Sequence, residues 1–279
     1  MGKLGLIAGG GELPLSLAHH CRASGRPFYV IRLRGFADAR LAEFPGAEVG
    51  LAELGKGIAA LRKAACSSVC FAGLVARPDL RDLRPDLRGL AALPGAIAAA
   101  AKGDDALLTH LLSLFEHEGF SIEGAHQVMD GLTLGPGPLG DVYPAPEHLA
   151  DIDRALEAAR AIGRLDIGQA CVSCAGVVLA LEAQEGTDAM LERVAALPQA
   201  LRGDAQQRRG VLAKACKPGQ ELRVDLPTIG PRTVERALAA GLAGIVGETG
   251  RMLVLDRQQT RAAADAAGLF ILGVDPAGP

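Results

Sequence analysis

The sequence predicts an α/β protein, with a mostly parallel sheet in its first half and a mixed α/β arrangement in its second half. Three observations lead to this class. Short apolar runs alternate with helical patterns, a triple glycine follows the first apolar run, and a Gly- and Pro-rich stretch interrupts the pattern near the middle. Such alternation is typical of a parallel sheet with helices on its faces. A chain of 279 residues is long enough for two domains.

The first half contains strands and helices in regular alternation. Apolar runs predict strands at 3–8, 28–33, 47–52, 68–75 and 120–127. Apolar residues at helical spacing predict helices at 13–24, 57–65, 90–101 and 105–118. Gly25 follows the first helix directly, as is usual where a helix stops. A Pro-rich stretch at 77–88 separates the fourth strand from the helices after it.

A change in composition near the middle predicts a domain boundary. The stretch 131–147 contains Gly-Pro-Gly-Pro and Pro-Ala-Pro, which are typical of a linker. We therefore predict domains at 1–130 and 148–279 with a linker at 131–147. In the second half, helical spacing predicts helices at 147–162, 189–197, 233–238 and 257–267. Apolar runs predict strands at 169–183 (two strands joined by a turn), 211–216, 245–248, 252–255 and 269–274.

The most unusual stretch of the second half is a cluster of polar and charged residues. Five of them lie within nine positions: Lys217, Gln220, Glu221, Arg223 and Asp225. Charged and apolar residues alternate over 221–226, which predicts a strand with one charged face that ends at Pro227. An edge strand with a solvated face is the simpler interpretation. These residue types together can also ligate a hard cation and hold phosphate oxygens.

Composition excludes several classes of function. The net charge of −3 and an aromatic content of 3% without Trp argue against nucleic-acid binding. No apolar run reaches the ~20 residues that a membrane-spanning helix needs. The N-terminal stretch lacks the layout of a signal peptide, so a cytoplasmic location is expected. Six cysteines include a C-x-x-C at Cys171 and Cys174 inside a strand-like run, which favours buried thiols over zinc or redox chemistry.

The glycine loop at 9–11 lies between the first strand and the first helix, where phosphates bind to helix N-termini. Gly9 and Gly11 match the dinucleotide fingerprint, but Pro14 occupies its third glycine position. The second strand ends in Arg32 and Arg34 instead of the expected acid, which disfavours NAD. The loop therefore predicts a nucleotide or its phosphates as ligand.

Several strings resemble a known family. They are Gly-Leu-Ile-Ala-Gly-Gly-Gly-Glu-Leu-Pro at 5–14, Gly-Asp-Asp at 103–105, Ala-Gln-Glu-Gly-Thr-Asp-Ala-Met at 183–190, and Lys-Ala-Cys-Lys-Pro-Gly-Gln at 214–220, which runs into Arg-Val-Asp-Leu-Pro-Thr-Ile-Gly at 223–230. Together they resemble the LpxI-type UDP-2,3-diacylglucosamine pyrophosphatases of lipid A biosynthesis. The likeness covers nearly the whole chain and departs at Glu221, where the family pattern has Asp.

The resemblance implies Mg²⁺-dependent hydrolysis of UDP-2,3-diacylglucosamine to UMP and 2,3-diacylglucosamine 1-phosphate. It also implies a Rossmann-like N-terminal domain, a family-specific C-terminal domain and a substrate cleft between them. Asp225 matches the position that the family treats as catalytic. Transient contact with the inner membrane surface and a homo-oligomer are further expectations, and no nucleic-acid partner is expected.

Candidate site residues follow from the residues and the resemblance together. Asp225 is expected to hold Mg²⁺ or to activate the attacking water, with Lys217 and Arg223 as further catalytic groups. Asp188 is the second candidate metal ligand, and Glu182 and Glu185 are carboxylates for which a surface ion pair is an equally good interpretation. The candidate substrate-binding residues are Gly10, Gly11, Glu12, Leu74, Val75, Thr187, Asp188, Lys214 and Gln220.

Two other functions remain open. An NADP-dependent oxidoreductase would place the 9–11 loop on the pyrophosphate and Arg32 or Arg34 on the 2′-phosphate. A non-catalytic sensor would bind the nucleotide sugar without turnover.

Overall fold

A computed structural model describes residues 2–75 and 83–276. The chain forms two compact units, of which the first contains Met1–Asp130 and Glu221–Asp225 and the second contains Gly131–Gln220 and Leu226–Pro279. Part of the Pro-rich stretch predicted at 77–88 lies outside the described residues. None of the described helices combines the length and the apolar character that crossing a membrane requires.

The first unit is built on a five-stranded parallel sheet in the order β3-β2-β1-β4-β5. Its strands are β1 Lys3–Ala8, β2 Phe28–Leu33, β3 Gly46–Val49, β4 Cys66–Ala72 and β5 Ser121–Ile122. Its helices are α1 Glu12–Ala23, α2 Leu54–Lys63, α3 Leu87–Ala100, α4 Asp104–His117 and α5 Ala125–Val128. The predicted parallel α/β class of this half is confirmed.

Apolar side chains from alternate strand positions fix the layers of the first unit. Ile7, Ile31 and Val69 on neighbouring strands pack with Ile58 of α2 and Phe115 of α4 in one cluster of buried residues. Successive strand residues point to opposite faces, so the intervening positions of β1 remain for the other face. Pairing of β1 with both β2 and β4 places it at the centre of the sheet.

The second unit contains a six-stranded mixed sheet in the order β6-β13-β11-β9-β7-β8. A two-stranded sheet, β10-β12, accompanies it. The strands are β6 Gly137–Pro138, β7 Ala170–Cys174, β8 Val177–Leu181, β9 Val211–Lys214, β10 Thr228–Ile229, β11 Gly244–Glu248, β12 Leu253–Val254 and β13 Phe270–Val274. The helices are α6 Leu149–Arg164, α7 Gly186–Ala195, α8 Pro231–Ala239 and α9 Arg257–Ala266.

Helices cover both faces of the larger sheet. Ile152 and Ala159 of α6 pack with Ala213 and Val246 on one face. The apolar sides of three helices pack with Leu212 and its neighbours on the other face, through Met190, Leu191, Val194, Val234, Ala237 and Ala264. Alternation within β9 therefore separates the two layers, and it directs Lys214 to the side of Leu212.

Besides the predicted strand at 120–127, of which Ser121–Ile122 is a strand and Ala125–Val128 is a helix, two predicted segments differ from the structure. The predicted linker at 131–147 lies within the second unit, because Gly137–Pro138 pairs with β13 as an edge strand and Leu134 is buried. The predicted strand at 221–226 is wrong, since 222–224 is a turn and Leu222 is exposed. In both cases the hydrogen bonds that the backbone makes in the folded chain, and not the local sequence pattern, determine the secondary structure.

A buried carboxylate holds the β7–β8 hairpin against α6. Asp151, on α6, accepts hydrogen bonds from Ser173 Oγ at 2.9 Å, from the Ala175 N–H at 3.0 Å and from the Gly176 N–H at 2.8 Å. Ala175 and Gly176 both have positive φ, at 51° and 77°. The turn therefore depends on Asp151 to satisfy donors that the tight backbone leaves without strand partners.

We expect Asp151→Ala to lower the free energy of unfolding of the second unit by about 2 kcal/mol, because the buried Ser173 hydroxyl loses its acceptor, which costs about 1–3 kcal/mol, while the N–H groups of the exposed Ala175 and Gly176 add less. Urea unfolding followed by circular dichroism would measure the loss. Asp153→Ala is the matched control, since Asp153 lies on the same helix and is exposed. Equal losses in the two variants would show that the hydrogen bonds of Asp151 contribute little.

Candidate active site

The glycine loop follows β1 and is tied to the loop after β4. Gly10 and Leu74 exchange backbone hydrogen bonds of 2.8 and 2.9 Å, and the Gly9 N–H donates to the Ala72 carbonyl at 2.8 Å. β1 and β4 are neighbouring strands at which the strand order reverses. The chain continues from β1 to β2 and β3 on one side of the sheet, and from β4 to β5 on the other side. Ligands of open α/β sheets bind at such a point, outside the carboxyl ends of the strands.

Gly11 has a backbone conformation that only glycine adopts readily, with φ 87° and ψ 179°. It precedes α1, whose first residue Glu12 forms an ion pair with Arg40 at 2.6 Å. Leu74 is 80% exposed and Val75 is 41% exposed. The structure therefore brings Gly10, Gly11 and Leu74 to one edge of the first unit, with Glu12 and Val75 adjacent in the chain.

The turn that contains Asp225 is held by Glu221. The Glu221 carboxylate accepts hydrogen bonds from the Arg223 N–H at 3.1 Å and from its guanidinium at 2.9 and 2.7 Å. The Glu221 carbonyl accepts from the N–H groups of Val224 and Asp225, both at 3.0 Å. Glu221 therefore shapes the turn. Its carboxylate has a structural role at the position where the family pattern has Asp.

Arg223 shares its charge between two carboxylates. Besides Glu221 it pairs with Glu116 of α4 at 2.8 Å. Hydrogen bonding to Arg223 holds the pKa of the Glu221 carboxyl below its ordinary value, and the carboxylates of Glu221 and Glu116 raise the pKa of Arg223. Val224 packs on the core of the first unit. The turn is thus fixed from both sides, and Asp225 is partly buried at its end.

In the second unit, Lys214 occupies the carboxyl end of β9 and is only 5% exposed. Its ammonium donates to Thr187 Oγ1 at 2.9 Å and to the Thr228 carbonyl at 3.1 Å. Thr187 donates in turn to Glu182 Oε1 at 2.6 Å, and Glu182 is buried. The chain Lys214–Thr187–Glu182 joins β9, the start of α7 and the end of β8.

Lys217 and Gln220 form the turn after β9. The Lys217 N–H donates to Gln220 Oε1 at 2.8 Å, and the Gln220 N–H donates to the Lys217 carbonyl at 3.2 Å. The Lys217 ammonium pairs with Asp166 at 2.7 Å. Asp166 lies after α6 in a left-handed conformation with φ 54°. Sequence analysis missed Asp166, because it lies 51 residues away from Lys217 and carries no motif.

The other candidate carboxylates have partners of their own. Asp188, in the first turn of α7, pairs with Arg232 at 2.9 Å. Glu185 pairs with Arg193 of the same helix. Glu182 Oε2 accepts from the Gln169 N–H at 3.1 Å, in addition to the bond from Thr187. Glu182 therefore has a structural use inside the second unit, and the ion-pair interpretation holds for Glu185.

The groups that could hold a metal ion are scattered over the described residues. Within 2–75 and 83–276, no three His, Cys, Asp or Glu side chains come together as a metal cluster. Mg²⁺ commonly uses one or two carboxylates together with substrate phosphates and water. Asp225 offers hard oxygen atoms on a fixed, partly buried turn, so it fits this kind of site.

The two cysteines of the C-x-x-C lie buried in strand β7. Burial raises the pKa of the Cys171 thiol to about 12, and Cys174 is buried on the same strand, so the prediction of buried thiols is confirmed there.

Arg32 lies 3.4 Å from the carbonyls of Leu41 and Phe44, and Arg34 pairs with two glutamates, Glu48 and Glu53. These contacts disfavour a role for either arginine on a 2′-phosphate.

Both units present candidate residues where parallel strands end, which is the arrangement of two-domain α/β proteins that bind their ligands beside the sheet. The LpxI N-terminal domain matches residues 3–132, and the LpxI C-terminal domain matches residues 135–272. The UDP-2,3-diacylglucosamine pyrophosphatase LpxI of Caulobacter vibrioides is 66% identical over 276 residues, which cover 99% of each protein. The chain belongs to the LpxI family, which confirms the resemblance drawn from the sequence strings.

We expect Thr187→Val to destabilise the second unit by about 2 kcal/mol, because the buried side chains of Glu182 and Lys214 both lose a hydrogen-bond partner. Thr187→Ser keeps the hydroxyl and is expected to retain most of the stability. The midpoint of urea unfolding, followed by circular dichroism, measures both variants. A Val variant as stable as the Ser variant would show that the hydroxyl does not hold the chain of side chains together.

Proposed function

We propose that the protein hydrolyses the pyrophosphate bond of UDP-2,3-diacylglucosamine, with Mg²⁺, to UMP and 2,3-diacylglucosamine 1-phosphate. The observation that carries this proposal is the 66% identity, over 99% of both chains, to a protein named UDP-2,3-diacylglucosamine pyrophosphatase. Identity of this extent includes both units and every candidate segment, so the same chemistry is the simplest expectation.

The reaction exchanges one phosphorus–oxygen bond for another. The oxygen of a water molecule bonds to the phosphorus that carries the glucosamine, and the bond from that phosphorus to the bridging oxygen breaks. UMP leaves with the bridging oxygen, and the attacking water gives up a proton. The anionic oxygens of the diphosphate repel the nucleophile, so catalysis needs positive charge and an oriented water.

The two lysines of the second unit supply positive charge at a fixed place. Lys214 is held by Thr187 and by the Thr228 carbonyl, and Lys217 is held by Asp166. Preorganised charge costs no reorganisation when the transition state forms. We assign both lysines to the phosphate oxygens of the substrate. Gly10 and Gly11 present backbone at the strand ends of the first unit, where the nucleotide portion is expected.

Asp225 is the residue to which we assign the metal and the water. Its turn is fixed by Glu221 and Arg223, so the carboxylate is held without a large conformational cost. When bound, Mg²⁺ supplies positive charge to the diphosphate oxygens. We assign Arg223 a positioning role, because its guanidinium already balances two carboxylates.

Release of UMP tests the proposed function directly. Purified protein is incubated with UDP-2,3-diacylglucosamine and Mg²⁺, and the nucleotide products are separated by chromatography. We expect UMP to accumulate with Mg²⁺, to disappear with excess EDTA and to return when Mg²⁺ is restored. Binding of the nucleotide sugar without UMP would identify a sensor instead, and undiminished turnover in EDTA would contradict the metal requirement.

We expect Asp225→Asn to lower turnover by at least ~10³-fold, which is the scale for loss of a group that orients water or holds a metal. Asn keeps the size of the side chain and removes its charge, so the turn held by Glu221 is expected to persist. Asp153→Asn is the control, because it makes the same change at an exposed position. Turnover within a few-fold of the parent would exclude Asp225 from the chemistry.

A further inference from the structure

Asp166 occupies the position directly after α6, where glycine is the usual residue. The Asp166 N–H donates to the Gly163 carbonyl at 3.0 Å. The next N–H, of Ile167, donates to the Ile162 carbonyl at 3.1 Å. These two hydrogen bonds are typical of helices that end in one left-handed residue, and Asp166 has φ 54°. Asp166 therefore places a carboxylate where the backbone alone favours glycine.

The Asp166 carboxylate pairs with the Lys217 ammonium, which is the less exposed member of the pair. The two groups are 2.7 Å apart, and the side chains are 15% exposed for Lys217 and 40% exposed for Asp166. Asp166 is therefore the member that can turn towards water while the lysine stays in place.

The stem of Lys217 is fixed independently of Asp166. A Cβ on Gly163 would lie 3.4 Å from Lys217 Cα and 3.6 Å from Lys217 Cγ, so the lysine packs directly against the last turn of α6. The Lys217 N–H and carbonyl both bond to Gln220, at 2.8 and 3.2 Å. Loss of the Asp166 carboxylate would therefore change what faces the ammonium and leave the backbone of this turn as it is.

The segment that carries Asp166 is held at its other end by Gly168. A Cβ on Gly168 would lie 2.2 Å from the Glu182 carbonyl oxygen, so the backbone passes the end of β8 at close range. The next residue, Gln169, donates its N–H to Glu182 Oε2 at 3.1 Å. Because both ends of the segment 163–168 are fixed, rotation of the Asp166 side chain is the simplest way to open the ion pair.

We propose that Asp166 sets the affinity of the site for its diphosphate ligand, because it occupies Lys217 until a phosphate oxygen displaces it. A carboxylate oxygen and a phosphate oxygen accept the same charge-assisted hydrogen bond from an ammonium. Ion pairs that solvent reaches are weak, so a ligand with two phosphates is able to replace the carboxylate. The inference rests on the proposed function, which assigns Lys217 to phosphate oxygens, and it adds Asp166 as an affinity-determining residue.

Calorimetric titration with UDP measures the proposed competition without turnover. Asp166→Asn keeps the size of the side chain and its tolerance of left-handed backbone, and it removes the charge. We expect this variant to bind UDP about fivefold more tightly than the parent, which is the scale of an ion pair that solvent partly screens. Asp153→Asn is the matched control, because it removes an exposed carboxylate from α6. Unchanged or weaker binding by Asp166→Asn, or an equal gain in the control, would overturn the inference.

A Lys217→Gln background shows whether the gain depends on the lysine. Simple repulsion between Asp166 and the ligand persists without the ammonium, whereas competition for the ammonium is lost. We therefore expect Asp166→Asn to change UDP binding less than twofold in this background. The same fivefold gain in both backgrounds would contradict the inference. Urea unfolding followed by circular dichroism verifies that each variant is folded.

Steady-state kinetics separate this inference from the proposed function. With UDP-2,3-diacylglucosamine dispersed in detergent, we expect Asp166→Asn to lower KM about fivefold and to leave kcat within twofold, because displacing the carboxylate costs the same in the ground state and the transition state. A fall in kcat with unchanged KM would count against Asp166 as a competitor. No UMP release by parent or variant, alongside tighter UDP binding by Asp166→Asn, would overturn only the proposed function.

Discussion

Parallel hydrogen bonding at the centre of both sheets determines where the candidate residues lie. Parallel neighbours end at the same edge of a sheet, so the loops that follow them meet there. In the first unit this brings the glycine loop to the loop after β4, where Gly10 and Leu74 pair. In the second unit β9 and β11 run parallel and end in a buried lysine and a buried glutamate, Lys214 and Glu248. In each unit, the carboxyl ends of the parallel strands therefore bring the candidate residues close to one another.

Sequence patterns predicted most helices and strands, because apolar periodicity reports which face each element buries. They failed where a segment takes its hydrogen bonds from a nearby side chain or from a strand distant in sequence. The alternation at 221–226 resembles a strand, but the Glu221 carboxylate satisfies the Arg223 N–H locally, so the chain turns. The Gly-Pro repeat resembles a linker, but Gly137–Pro138 pairs with β13, which lies more than a hundred residues later. Apolar periodicity reports neither of these hydrogen-bonding partners.

The candidate site also contains residues that the sequence indicates and contacts that only the fold reveals. Sequence strings made Lys214, Lys217, Thr187 and Asp225 candidates, because a family resemblance carries side-chain identity along the chain. They did not identify Asp166, whose contact with Lys217 depends on the end of α6 approaching the turn after β9. They also suggested Arg223 as a catalytic cation, whereas its two carboxylate partners favour a positioning role. The fold determines which carboxylates pair with each cationic side chain. These ion pairs in turn limit the roles that the cation can have.

The surroundings of Lys214 and Lys217 imply different parts for two residues of the same type. Lys214 is buried and donates to a hydroxyl and a carbonyl, with Glu182 reached through Thr187. Removing an ammonium from water is costly, so Lys214 gains from any anion that approaches it. Lys217 pairs directly with Asp166, whose side chain is 40% exposed, and solvent weakens that pair. An incoming phosphate would therefore compete with Asp166 at Lys217, whereas at Lys214 it would meet an ammonium that a hydroxyl and a carbonyl oxygen already hold in place.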